Sequence, residues 1–203
     1  IHDISRDGRV LLTRVKNSTD FVGSFSDETG ERVLPGLDSS GVDNLSADGK
    51  AFIFTNYGQS AGKDYSVYLG KTDGSSPVRL GEGQGHILSP DGKWVISELL
   101  SSGQVLVLPT GAGEAKKLDF QGIERNFDLI FGLPDSKQII FNGNEAGKPK
   151  RTFIKNIETG AQRPISSEGV TASMVSPDGK IFICDDNEKK SVCSVDGNTP
   201  PRP

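Results

Sequence analysis

The sequence is poor in the residues that most often carry chemistry: two histidines, two cysteines, one tryptophan and one methionine among 203 residues. A metal site needs several His, Cys, Asp or Glu side chains converging at suitable spacing, and His2 and His86 are the only histidines. The letters Gly-x-Ser-x-Gly occur once, at Gly58–Gly62, but in a Gly-, Ser- and Asn-rich hairpin loop rather than on the strand–helix turn that a serine hydrolase elbow requires. No apolar run is long enough to cross a bilayer, and no secretory leader is recognisable. The chain opens on Ile1 rather than methionine, as a processed or cut polypeptide does. Lysine and arginine are scattered, the net charge is -4, and the densest basic stretch, Lys148, Lys150 and Arg151, is short. Nucleic-acid binding needs a clustered positive face, so neither nucleic acid nor membrane insertion is expected. Helical periodicity is missing too: no segment keeps apolar residues at i, i+3, i+4 and i+7 over three turns.

What the sequence has instead is glycine, 25 residues of it, and a turn that recurs. In Ser89-Pro90-Asp91-Gly92, proline presets φ at the second position, aspartate suits the third and glycine accepts a positive φ at the fourth. Apolar residues flank it, Ile87 and Leu88 before, Trp94, Val95 and Ile96 after. This predicts a β-hairpin with a type I turn and a glycine bulge. The same block stands at Ser5–Gly8, Ser46–Gly49, Leu133–Ser136 and Ser176–Gly179, and the aspartates are 41, 43, 44 and 43 residues apart. The fourth copy has Ser136 where the others have glycine, so its turn is expected to be strained or differently shaped.

An apolar strand follows each turn, and most copies add a further strand and a second glycine turn. A period of 40 to 45 residues with four short strands per unit predicts an all-β fold, a β-propeller of five four-stranded blades. Stacked radially, each sheet buries both faces, which explains why the strand after each turn is almost continuously apolar. The blades run approximately 1–37, 38–83, 84–120, 121–169 and 170–203, one propeller domain over 1–203. Five blades either close into a ring or form an arc of a larger one, in which case self-association is expected. The Ser-Pro-Asp-Gly-Lys-apolar pattern resembles the WD-like repeats of TolB-like propellers. Its wording looks most like the propellers appended to bacterial serine/threonine kinases. That resemblance implies an extracytoplasmic, periplasmic location and a sensor role in a larger bacterial protein.

Repetition argues that the turn aspartates make turns, since a catalytic group is needed once. Candidate function lies elsewhere. Loops alternate between the two ends of a propeller, and one end carries the near-identical Asp-Gly and Thr-Gly turns. The other carries segments that differ in every repeat, such as NYGQSAGKD, GNEAGKPKR and GEGQGH. Variable loops on a rigid scaffold are where binding usually resides. A ligand-binding site is therefore expected at the channel mouth near Asp43, Asn44, His86, Arg125 and Asn126, with Tyr57 and Tyr65 at the rim. His2, Asp43 and His86 occupy one position in successive repeats, equivalent to Ile130 and Ser173, where polar residues around a wet channel are the simpler reading than a metal. No cofactor or catalytic residue is assigned.

The leading reading is a non-catalytic ligand- or protein-binding or scaffold module with an unidentified partner. The alternative is a glycan-acting enzyme at the channel mouth, which needs paired carboxylates; Asp3, Asp43, Glu124 and Asp128 are its candidates. The two cysteines, Cys184 and Cys193, lie on either side of a predicted hairpin tip at Glu188-Lys189. That tip would place them directly opposite one another, within disulfide reach; in a reducing compartment they would be free thiols.

Overall fold

The computed structural model describes residues 3–4, 10–11, 20–25, 29–124 and 128–197. All regular structure among them is β apart from one 3-10 turn at Gln59–Ala61. The first repeat holds β1 (Asp3–Ile4), β2 (Val10–Leu11), β3 (Phe21–Ser24) and β4 (Glu31–Leu34), seen as two two-stranded ladders. The next three repeats are four-stranded antiparallel meanders. They comprise β5 (Ser40–Leu45), β6 (Ala51–Asn56), β7 (Ser66–Lys71) and β8 (Val78–Glu82), then β9 (Gln84–Leu88), β10 (Trp94–Leu99), β11 (Gln104–Pro109) and β12 (Lys116–Leu118), then β13 (Asp128–Gly132), β14 (Gln138–Gly143), β15 (Arg151–Asn156) and β16 (Gln162–Pro164). The fifth repeat contributes β17 (Thr171–Val175), β18 (Ile181–Asp185) and β19 (Lys190–Ser194). The outermost strand expected near Pro200 lies outside the described residues.

The recurring turn joins the first two strands of each blade, and its chemistry explains its sequence. Ser46 Oγ donates to Asp48 Oδ1 at 2.7 Å and accepts the Ala51 N–H at 2.9 Å, while Gly49 N–H closes the turn on Ser46 O at 2.9 Å. The third and fifth repeats reproduce this at Ser89–Asp91 and Ser176–Asp178. Gly49, Gly92 and Gly179 take φ of 69°, 71° and 69°. In the fourth, Ser136 takes φ 54°, so the turn keeps its shape and serine bears the strain, worth about 1 kcal/mol. Leu133 stands there in place of the serine, and Asp135 Oδ1 accepts the Gln138 N–H itself at 3.0 Å. Ser136 has its own employment: its Oγ accepts the Asp91 N–H at 3.0 Å and its carbonyl the Trp94 indole N–H at 3.0 Å, both from the preceding blade.

The core sits between sheets, not within one. Phe21, Phe52 and Phe54 join blades one and two; Ile53, Val67, Leu88, Val95 and Leu108 join two and three. Larger clusters fill the seams between three and four and between four and five. Neighbours Phe52 and Ile53 thus pack against opposite blades, the reason AFIFT needs no polar face. Fully burying such a side chain stabilises by about 1.5–3 kcal/mol. Trp94, expected as a blade-packing residue, lies against the seam between three and four.

The cysteines are joined, with Cα atoms 5.9 Å apart, but not in the expected register. The hairpin tip is four residues, 186–189, with Asp185 opposite Lys190. Cys184 therefore faces Ser191 and Cys193 faces Phe182. The bond runs diagonally on the sheet face packed against blade four. The tip is two residues longer than expected because Asp186 caps it, accepting the N–H groups of Glu188 and Lys189.

Candidate binding site at the channel mouth

The stereotyped turns share one end. Thr72 Oγ1 donates to Gly49 O at 2.9 Å and Thr110 Oγ1 to Gly92 O at 2.6 Å, tying the third-strand turn to the Asp-Gly turn in two successive blades. Antiparallel alternation puts the variable loops at the other end, where they bond one another. Asp64 accepts the Ser101 N–H at 2.7 Å and its hydroxyl at 3.0 Å, joining the long loop of blade two to the loop of blade three.

At that end the second strand of each blade stops being apolar. The residue seven after each turn aspartate is Thr55, Glu98, Asn142 and Asp185 in blades two to five. These residues carry no motif, and only the switch to polar character at the ends of AFIFT, WVISE, QIIFN and IFICD marks them. Their register partners are Gly41, Gln84, Asp128 and Thr171; Asp43, His86 and Ser173 fall at the β-bulges just beyond, and Ile130 faces Phe141 instead. Thr55 Oγ1 donates to Asp43 Oδ2 at 2.6 Å and accepts Gly85 N–H, from blade three, at 2.9 Å. His86 Nε2 lies 3.2 Å from Glu98 Oε2. Asn142 accepts the Ala172 N–H at 2.9 Å and donates to the Ala172 carbonyl at 2.8 Å, clasping blade five.

Of the expected site residues, Asp43, Tyr57, Tyr65 and His86 come together at the seam of blades two and three. Burial pushes the Asp43 carboxyl up to about 6, against the Thr55 hydroxyl and nearby His86, which both favour the carboxylate. Tyr57 is 40% exposed and meets Tyr65 edge to face with centroids 4.9 Å apart. Burial and the charge of Asp43 raise the Tyr57 phenol. Tyr65 sits at φ 68°, a left-handed conformation rare for an aromatic residue, fixed between Asp64 and β7. Asn44 has a different place: its Oδ1 accepts the Leu88 N–H at 3.1 Å, so it stitches two blades. Arg125 and Asn126 lie outside the described residues, as does His2.

Among the other carboxylates, Glu124 is bonded by the Asn144 amide and Asp128 pairs with Lys150 at 2.8 Å. A second opening at this end, a cleft of about 400 Å³ between blades four and five, is lined by Asp128, Asn142, Lys150, Thr171, Ser173 and Asp185. Among the described residues no three His, Cys, Asp or Glu side chains gather as a metal site would require, and no helix is long and apolar enough to cross a membrane.

No protein-family model matches the sequence, and no curated protein does. Solved structures do share its fold, and they are β-propeller proteins. TolB from Acinetobacter baumannii is similar with a TM-score of 0.62 and 21% identity, over 83% of this chain and 44% of that one. The oligogalacturonate lyase of Vibrio parahaemolyticus is similar at 0.65 and 14%, over 92% and 59%. The β-propeller domain of the trilobed protease from Pyrococcus furiosus is similar at 0.62 and 12%, over 92% and 65%. The chain spans 44% of the length of that TolB, and likeness at these identities is a likeness of fold. The class is a TolB-like β-propeller fold.

Proposed function

We propose that this chain is a non-catalytic binding module, the ligand- or protein-sensing part of a larger bacterial protein. Its partner docks on the variable-loop end, over the seam of blades two and three. The observation that supports this is the meeting of the partly buried Asp43 with the exposed Tyr57 and the half-buried Tyr65 packed against it. A carboxylate beside aromatic faces suits a cationic group, through charge-assisted hydrogen bonding and cation–π attraction. The resemblance to kinase-appended propellers supports a sensor placed outside the cytoplasm.

The glycan-acting alternative is less well supported. It needs two carboxylates in complementary states; Asp43 has a raised pKa, but Glu124 and Asp128 are engaged by Asn144 and Lys150. A peptide array rich in lysine and arginine, probed with the protein, tests the binding reading. Retention on cationic peptides is expected, weakened tenfold or more by Tyr57→Ala or Asp43→Asn and unchanged by Asp73→Ala at the opposite end. Loss confined to the Asp-Gly end, or hydrolysis of a glycan panel, would overturn it.

A further inference from the structure

The carboxyl at the seam of blades two and three is held from one side only. Asp43 and His86 stand at the β-bulges of β5 and β9, irregularities of the kind that re-aim side chains. Asp43 Oδ2 accepts the Thr55 hydroxyl at 2.6 Å, and the hydroxyl oxygen in turn takes the Gly85 N–H at 2.9 Å. Thr55 is 0% exposed, so its one O–H is committed to Asp43. Gly85 closes the same oxygen from another direction, since a Cβ there would stand 2.8 Å from Asp43 Oδ2 and 3.4 Å from Ile53 Cδ1. Its φ is not positive, so glycine serves at that position to seat the carboxyl and not to bend the chain. Oδ2 is walled in, while Oδ1 carries no hydrogen bond among the described residues.

The other acceptors nearby are single as well. The Tyr57 hydroxyl is close enough to Thr55 and Asp43 for both to act on its acidity. Gly41 leaves it that place, since a Cβ there would lie 3.3 Å from the Tyr57 ring and 3.7 Å from its hydroxyl oxygen. Glu98 gives one oxygen to His86 Nε2 at 3.2 Å and keeps the other. The seam therefore offers lone oxygens on separate elements, not the paired oxygens of one open carboxylate.

That difference separates the two common cationic side chains. A guanidinium draws its advantage from a planar fork, two parallel N–H groups on the two oxygens of one carboxylate. Denied the second oxygen, it brings five fixed, coplanar donors to a site that cannot pair them, and each donor buried unpaired is a cost. An ammonium is a compact charge whose three donors rotate together toward acceptors that share no plane. We infer that the seam selects a primary ammonium, the lysine side chain of a partner segment, over a guanidinium; this rests on the cation-binding reading above. Asp43 Oδ1 takes the first N–H and Tyr57 Oη the second, with the two tyrosine rings, 88° apart, against the methylene stem. Thr55 and Gly85 are positioning residues, which act on the ligand through the carboxyl they hold.

Titration of the isotope-labelled protein with N-acetyl-Gly-Lys-Gly-amide and with its arginine counterpart, followed through the backbone amide signals of Gly85 and His86, tests this. The lysine peptide should move both signals and bind about fivefold tighter than the arginine peptide, and an acetyl-lysine peptide should move neither. Two variants read the cause. Asp43→Glu carries the carboxyl one carbon past the Thr55 hydroxyl, and Thr55→Val removes that hydroxyl; each lets both oxygens face the ligand. In either, the preference for lysine should fall to about twofold or less while cationic peptides still bind. Thr55→Ser keeps the hydroxyl and should keep the preference. Equal affinity for the two peptides in the wild-type chain, or a preference that survives Asp43→Glu, would overturn the inference and leave the binding reading standing. Gly85 and His86 signals that respond to no cationic peptide would overturn both.

Discussion

Asp43 is a carboxyl whose ordinary pKa of 3.8 is raised to about 6 by burial, and the sign of the consequence is unusual for an aspartate. Between those two pH values the folded chain holds a proton that the unfolded chain has released. Stability from this group is therefore full below pH 3.8, falls as the pH rises toward 6, and is flat above it. Urea midpoints measured across that window should show a decline that Asp43→Asn removes; a decline of equal size in the variant would assign it elsewhere. Ligand binding should run the other way, a cationic partner gaining affinity as the pH rises through about 6. Asp43 was legible in the sequence as a polar residue at a repeated position, and so were the tyrosines. Thr55 was not, because it looks like the tail of an apolar strand and one of its two partners, Gly85, lies in the next blade.

At the scale of one strand pair, the β18–β19 hairpin shows what a local reading catches and what it misses. Composition placed both strands and the tip, since both depend on neighbours in sequence. Register did not follow, because the length of the tip is set by the aspartate that caps it. The bond between Cys184 and Cys193 closes a loop with a sequence separation of nine. Constraining a loop of that size removes unfolded-chain entropy worth about 2–3 kcal/mol. Reduction, or Cys184→Ser with Cys193→Ser, should lower unfolding free energy by that amount, read from urea midpoints at unchanged m-value. A shift below a few tenths of a kcal/mol would mean that packing against Ile140 and Ile154 holds the hairpin unaided.

At the scale of the whole molecule, the close contacts among the described strands run within blades and between neighbouring blades, so stability resembles a sum of blades and seams. The repeat itself was readable because every turn is encoded within a handful of adjacent residues. The seams were not, because Ser136 reaching Asp91 or Asn142 reaching Ala172 spans a full repeat and uses a different residue each time. Blade three is covered on both sides and blade five is uncovered on one. In dilute protein, hydrogen exchange should find β10 and β14 slowest and β17 and β19 fastest. Equal protection in the fifth blade would mean that its outer face is covered in solution.

The third and fifth turns share the run Ser-Pro-Asp-Gly-Lys, at 89–93 and 176–180. Coding segments that similar invite unequal recombination, and a crossover there would excise two blades' worth of chain while leaving every turn intact. The hybrid blade would keep β9 but follow it with β18. Phe182 would fall where Val95, 0% exposed, fills the seam beside Ile53. It adds several heavy atoms to a closed space, and overpacking of that kind typically costs about 1–3 kcal/mol. Asp185 would replace Glu98 beside His86, one carbon short of the bond. A chain shortened that way would turn correctly and stack badly, so the seams rather than the turns are what such a deletion breaks.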